Sequence, residues 1–208
     1  LKIVHGDLKP DNILIKRTTA GGYTTKLIDF DNSYFSGEPP KNTEEVVGTP
    51  EYYSPELAFY IKDGETEEDR KKLTVQSDIF ALGVIFCEYL TGSKPIFNKK
   101  YNYTWEAINN KETLNFKGGL KTKKLESLVN DMLSIDFNKR PNISQVFEIL
   151  KSSDLLTEEV ISTPIIEEEK PVSGLRISKN LKTTYIDKKS DDIKPSKGLI
   201  IKGLNTDK

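Results

Sequence analysis

The run His5-Gly6-Asp7-Leu8-Lys9-Pro10-Asp11-Asn12 brings three complementary groups into one short loop. The Asp7 carboxylate can orient a hydroxyl and accept its proton. The Lys9 ammonium can neutralise a phosphate, and the Asn12 amide can offer its oxygen to a hard cation. Phosphoryl transfer needs this combination, because its catalysis is mostly positioning and charge neutralisation. A charged surface turn around a proline is the plain alternative. The residues that follow weigh against it.

Such a loop must be held by regular elements. Leu1 to Val4 read as the end of a helix or the approach to the loop. Ile13-Leu14-Ile15 and Lys26-Leu27-Ile28 read as short strands, and the paired glycines Gly21-Gly22 permit the positive φ of a hairpin turn between them. The hairpin leads directly into Asp29-Phe30-Asp31. Farther on, Ser77 to Gly92 is apolar on nearly every face, as a helix through the centre of a domain must be, with Ser77 placed to cap it and Gly92 to stop it. Amphipathic stretches at Tyr103–Asn110, Lys123–Leu133 and Ile143–Leu150 are expected to be helices, with Leu125, Leu128, Val129, Met132 and Leu133 in the core. Trp105 reads as a packing residue. The charged run from Lys62 to Lys72 reads as a solvated loop, a docking surface being the sharper alternative.

Taken together, these motifs resemble those of the eukaryotic-type protein kinases. His5 to Asn12 is similar to the H-R-D-L-x-x-x-N catalytic loop, with Gly6 where the family usually has arginine. Asp29-Phe30 matches the first two positions of D-F-G, with Asp31 as the third. Asp31 is either a solvated turn residue or a further carboxylate beside the metal. Gly48-Thr49-Pro50-Glu51-Tyr52-Tyr53-Ser54-Pro55-Glu56 looks like the ending of the family's activation segment, which begins here near Asn32.

The resemblance implies a role for each matching residue. Asp7 would be the catalytic carboxylate, Lys9 would stabilise the transferring phosphate, and Thr49 would hydrogen-bond both and point to serine and threonine substrates. ATP would be bound by Lys9, Asn12, Leu14 and Asp29, with Asn12 and Asp29 holding Mg2+. His5 would stack on Phe30 beneath the loop, Asp78 would bond the loop's backbone, and Glu56 would form a buried ion pair with Arg140. The implied fold is α+β and mainly helical: the C-terminal lobe of a kinase with a small hairpin near the catalytic loop. The resemblance also bears on regulation. Kinases lacking the arginine at the position of Gly6 generally do not depend on activation-segment phosphorylation, so Ser33, Ser36 and Thr43 are expected to be dispensable.

The resemblance covers Leu1 to about Leu150. No G-x-G-x-x-G loop, strand lysine or partner glutamate of the other lobe occurs in the 208 residues. The chain opens at Leu1 within the motif and reads as part of a longer protein, so residues 1–155 are expected to be a partial kinase domain and inactive alone. From 156 to 208, mixed-charge runs with few aromatics read as a mobile tail or linker. Leu199-Ile200-Ile201 is an apolar island there that could dock on a partner. Lys and Arg number 31 against 32 Asp and Glu, so no global field recruits nucleic acid or an anionic membrane. No run of about 18 apolar residues appears. The single cysteine, Cys87, fits a packing role and a reducing, cytoplasmic location. Three functions stay open: a serine/threonine kinase acting on proteins, a pseudokinase or docking module, and a kinase for small molecules.

Overall fold

The computed structural model describes residues 2–152 except residue 65, so the tail expected at 156–208 lies outside the described residues. Two small antiparallel sheets and six helices carry the loops. Strand β1 (Ile3–Val4) pairs with β4 (Tyr34–Phe35), and β2 (Ile13–Arg17) pairs with β3 (Tyr23–Leu27), Ile13 opposite Leu27 and Arg17 opposite Tyr23. The helices are α1 (Pro55–Asp63), α2 (Glu67–Lys72), α3 (Val75–Thr91), α4 (Thr104–Asn109), α5 (Lys123–Met132) and α6 (Ile143–Lys151).

Helix α3 is the axis of the body. Its apolar residues point in every direction, and each face finds a different partner. Phe80, Val84 and Cys87 pack with Ile108 of α4 and with Val129 and Leu133. Ile79 meets Leu128 and Met132 of α5 and Val146 of α6. Ala81 and Ile85 pack on Leu8, next to the catalytic motif. Gly92 ends the helix in the left-handed conformation at φ 73°, where its amide returns to the Glu88 carbonyl. A second cluster, Val4, Tyr34, Leu57, Tyr60 and Leu73, joins the β1–β4 ladder to α1. The five core residues expected on α5 and just after it are all buried. Among the described residues no helix is long and apolar enough to cross a membrane.

Three local expectations are corrected or narrowed. Of the two readings of the residues before the loop, the helix end is removed and the approach to the loop stands: Ile3–Val4 is a strand leading into it, and two residues are too few to show a strand's period. The charged run expected as a loop contains α2, whose N-cap Thr66 accepts from the Asp69 amide, with acids in the first turn and bases in the last. Helix α3 begins two residues before Ser77: Thr74 is its cap, accepting from the Gln76 amide, and Ser77 is buried inside.

Candidate active site

The loop from His5 to Asn12 is fixed from below and from both sides. Below it, Asp78 of α3 accepts the amide of His5 at 2.7 Å and that of Gly6 at 3.4 Å. Burial raises the Asp78 carboxyl above its ordinary value, and those two amides oppose the shift. On one side, the buried His5 ring donates from Nε2 to the Ile28 carbonyl at 3.0 Å and lies 4.8 Å from the Phe30 ring, centroid to centroid. Phe30 is otherwise half exposed. On the other side, β1 leads into the loop and β4 follows the Asp29 turn, so the β1–β4 ladder joins the two motifs.

Above this floor the polar groups close into a triangle. The Lys9 ammonium donates to Asp7 Oδ2 at 2.7 Å and to Thr49 Oγ1 at 3.0 Å, and the Thr49 hydroxyl donates to Asp7 Oδ1 at 2.8 Å. Asp7 is 7 % exposed, so its carboxylate acts where charge is poorly screened. The hydrogen bond to Asp7 raises the Lys9 pKa above its ordinary value against the opposing effect of burial, with Asp11 and Asp29 adding to the rise. Lys9 therefore keeps its charge. The buried Asn12 donates from Nδ2 to the Asp7 carbonyl at 2.8 Å, which leaves its side-chain oxygen for another partner.

Asn12 and Asp29 are brought together by the hairpin, since the Ile28 amide donates to the Asn12 carbonyl at 3.1 Å. Asp29 is exposed and adopts φ 64°, one of two non-glycine residues in the left-handed region among those described. Strain of this kind gathers at functional sites. An amide oxygen beside a carboxylate is the hard-oxygen chemistry that magnesium accepts, and magnesium commonly takes one or two protein ligands and leaves the rest to phosphate and water. The donor chemistry of Asn12 and Asp29 fits a magnesium ion. Leu14 is half exposed on β2. Asp31 lies in an exposed turn.

Farther from the triangle, Arg140 is buried and grips Glu56 with both terminal nitrogens, at 2.6 and 2.8 Å. Three neighbours extend this pair. The Ser77 hydroxyl donates to Glu56 at 2.9 Å, Arg140 donates to the Gln76 carbonyl, and the Gln76 amide donates to the carbonyls of Phe137 and Arg140. Tyr52, between the triangle and α3, donates to Glu88 at 2.8 Å while the Lys94 ammonium lies 4.6 Å over its ring. Burial first, then Glu88, raises the Tyr52 pKa. Sequence reasoning missed Gln76, Ser77 and Tyr52 as site-supporting residues. The capping position expected at Ser77 lies three residues earlier, at Thr74, and the other two carry no local signal.

A family model described as "Protein kinase domain" matches residues 1–150. The chain is 28% identical over 198 residues to serine/threonine-protein kinase A of Synechocystis sp., covering 93% of this chain and 36% of that protein. It is 32% identical over 140 residues to calcium-dependent protein kinase 6 of Plasmodium berghei, covering 67% and 9%. It is also 37% identical over 95 residues to serine/threonine-protein kinase Pkn1 of Myxococcus xanthus, covering 45% and 12%. The chain thus spans well under half the length of these relatives. On the family match and the arrangement around Asp7, the chain belongs to the protein kinase family.

Proposed function

We propose that this chain provides the catalytic and substrate-binding half of an ATP-dependent serine/threonine kinase acting on proteins, corresponding to the family's C-terminal lobe. The observation that carries the reading is the closed triangle of Asp7, Lys9 and Thr49, with Asn12 bonded to the Asp7 carbonyl. A carboxylate held at both oxygens presents one fixed direction to an incoming hydroxyl. Asp7 orients that hydroxyl and takes its proton. Lys9 holds positive charge where the transferring phosphoryl group, whose oxygens carry the negative charge, would pass. Thr49 keeps Asp7 and Lys9 in register. Asn12 and Asp29 are the residues that hold magnesium. Bound ATP with Mg2+ supplies the γ-phosphoryl group and the cation that neutralises it.

The nucleotide-side half, with its glycine-rich loop and lysine, is then supplied by residues outside these 208, and the chain alone turns over little or nothing. A cytoplasmic location goes with this reading and with the buried, unpaired Cys87. The docking-module alternative draws on Gly6 and Asp31, which depart from the family pattern. Neither departure removes a base or a ligand. The test is transfer of the γ-phosphate to serine/threonine peptides by a polypeptide carrying this chain with its nucleotide-side half. Transfer that depends on Asp7 supports the enzyme. No transfer above background by the unsubstituted polypeptide favours the docking module.

A further inference from the structure

Tyr34 sits on β4 opposite Val4, with 9 % of its surface exposed. Its hydroxyl is buried and has no hydrogen-bond partner among the described residues. A buried polar group left in that condition is costly, and such groups are nearly always satisfied by protein or by water. The side chain lines a cavity of about 10 Å³ beneath the catalytic loop, bordered also by Gly6, Asp7, Tyr53, Ser77 and Asp78. That volume is one water molecule's worth.

The chemistry of the lining fits one water. Burial, with the carboxylates of Asp78 and Glu56 nearby and Tyr60 adding to the effect, raises the Tyr34 pKa well above its ordinary value, so the hydroxyl stays protonated and is a donor in search of an acceptor. Asp78 has acceptor capacity to spare: one oxygen receives the His5 amide at 2.7 Å, and the other receives Gly6 only at 3.4 Å. Ser77 gives its proton to Glu56, which leaves its oxygen free to accept.

We infer that this cavity binds a single water that accepts from Tyr34 Oη and donates to the Asp78 carboxylate, and that Tyr34 thereby acts as a positioning residue for the catalytic loop. The route is short. Asp78 holds the amides of His5 and Gly6, and Asp7 is the next residue. Gly6 makes the arrangement possible. A Cβ there would lie 2.3 Å from the Asn32 carbonyl oxygen and 3.5 Å from Tyr34 Cε1, so the tyrosine ring and its own loop occupy the room beside Gly6. The inference takes its functional meaning from the reading of Asp7 as the catalytic carboxylate. Its test requires no turnover, so the two fail separately.

The first measurement is a crystal structure of the 208-residue chain at a resolution that locates waters. A water within hydrogen-bond distance of both Tyr34 Oη and an Asp78 oxygen is expected. An empty cavity, or a Tyr34 hydroxyl bonded to a protein acceptor, overturns the site. The second measurement is amide exchange in Tyr34→Phe, which keeps the ring and removes only the hydroxyl. Exchange at His5 and Gly6 should accelerate about three- to tenfold, the scale of one lost hydrogen bond, while the amides of β2 and β3 stay at their wild-type rates. A change below about twofold at Gly6, or an equal change in the hairpin, overturns the positioning role.

Discussion

Replacing Asp7 by asparagine keeps the side chain's shape, removes the charge that holds Lys9 and leaves one acceptor oxygen where two receive Lys9 and Thr49. Initial rates of phosphoryl transfer should fall by about two to four orders of magnitude, the range for a positioned acid–base group. Nucleotide affinity, measured separately, should change little, because Asn12 and Asp29 are untouched. A wild-type rate would remove Asp7 from the mechanism. Gly6 makes a different residue-scale prediction. Its φ of 82° and the Asn32 oxygen beside it exclude any side chain, and backbone atoms cannot rotate out of the way. Gly6→Arg, the residue the family usually has, should lower stability by about 1–2 kcal/mol from the left-handed backbone alone. The collision adds to this, and the melting temperature should drop by about 5 °C or more. A melting temperature equal to wild type would show that the segment after Asp29 can take another path.

At the scale of elements, the segment from Asn32 to Glu56 is tied down by the protein's own groups. The β1–β4 ladder pins its start, the Tyr60 hydroxyl donates to the Pro40 carbonyl in its middle, and Thr49 joins the triangle near its end. Replacing Ser33, Ser36 and Thr43 together by alanine should therefore cost less than about tenfold in initial rate, or 1.4 kcal/mol of transition-state stabilisation. A larger loss would mean that a phosphate on this segment finds another cation, with Lys26 and Lys41 the candidates. Helix α3 gives a pH prediction. The Asp78 carboxyl is raised by burial, so the folded chain holds that proton more tightly than the unfolded chain does. The stability it contributes is complete in acid and declines as pH rises through the raised value. Asp78→Asn cannot titrate, so the gap in melting temperature between wild type and variant should narrow as pH rises above the ordinary carboxylate range. A widening gap would mean that the two loop amides outweigh burial.

How much of this was legible in the sequence depended on whether a feature is local. The hairpin, the stop at Gly92 and the three amphipathic helices rest on short-range periodicity and turn chemistry, and they appear where that chemistry puts them. Strand β1 was hidden because its evidence is a partner 30 or more residues away at Tyr34–Phe35. Helix α2 was hidden because six charged residues have no apolar stripe, although the Thr66 cap and the order of acids and bases were readable signals. In the site, the spacing of Asp7, Lys9 and Asn12 marked one loop. The packing of Tyr34 beside Gly6 and the Gln76 bonds to the Arg140 region depend on tertiary contacts that no window of sequence contains.

Across the whole molecule, the Glu56–Arg140 pair is the longest-range polar link described here. Both groups are buried, so removing one leaves the other uncompensated. Arg140→Ala should cost about 3–5 kcal/mol in chemical denaturation. The double substitution Glu56→Gln with Arg140→Met should recover part of that loss, because neither charge is then stranded. A cost below about 1 kcal/mol for the single variant would mean that water reaches the pair. The spacing of these links also sets a clock. Glu56 and Arg140 stand 84 positions apart, and Asp78 stands 73 from His5. Contacts that distant close late, after hairpins and helices whose partners are neighbours. On a ribosome moving at about 5–20 residues per second, Asp7 emerges roughly ten seconds before Arg140 is made. Between the synthesis of Thr49 and that of Arg140, the nascent chain thus carries every group of the triangle without the buried pair that ties Glu56 to the later part of the body.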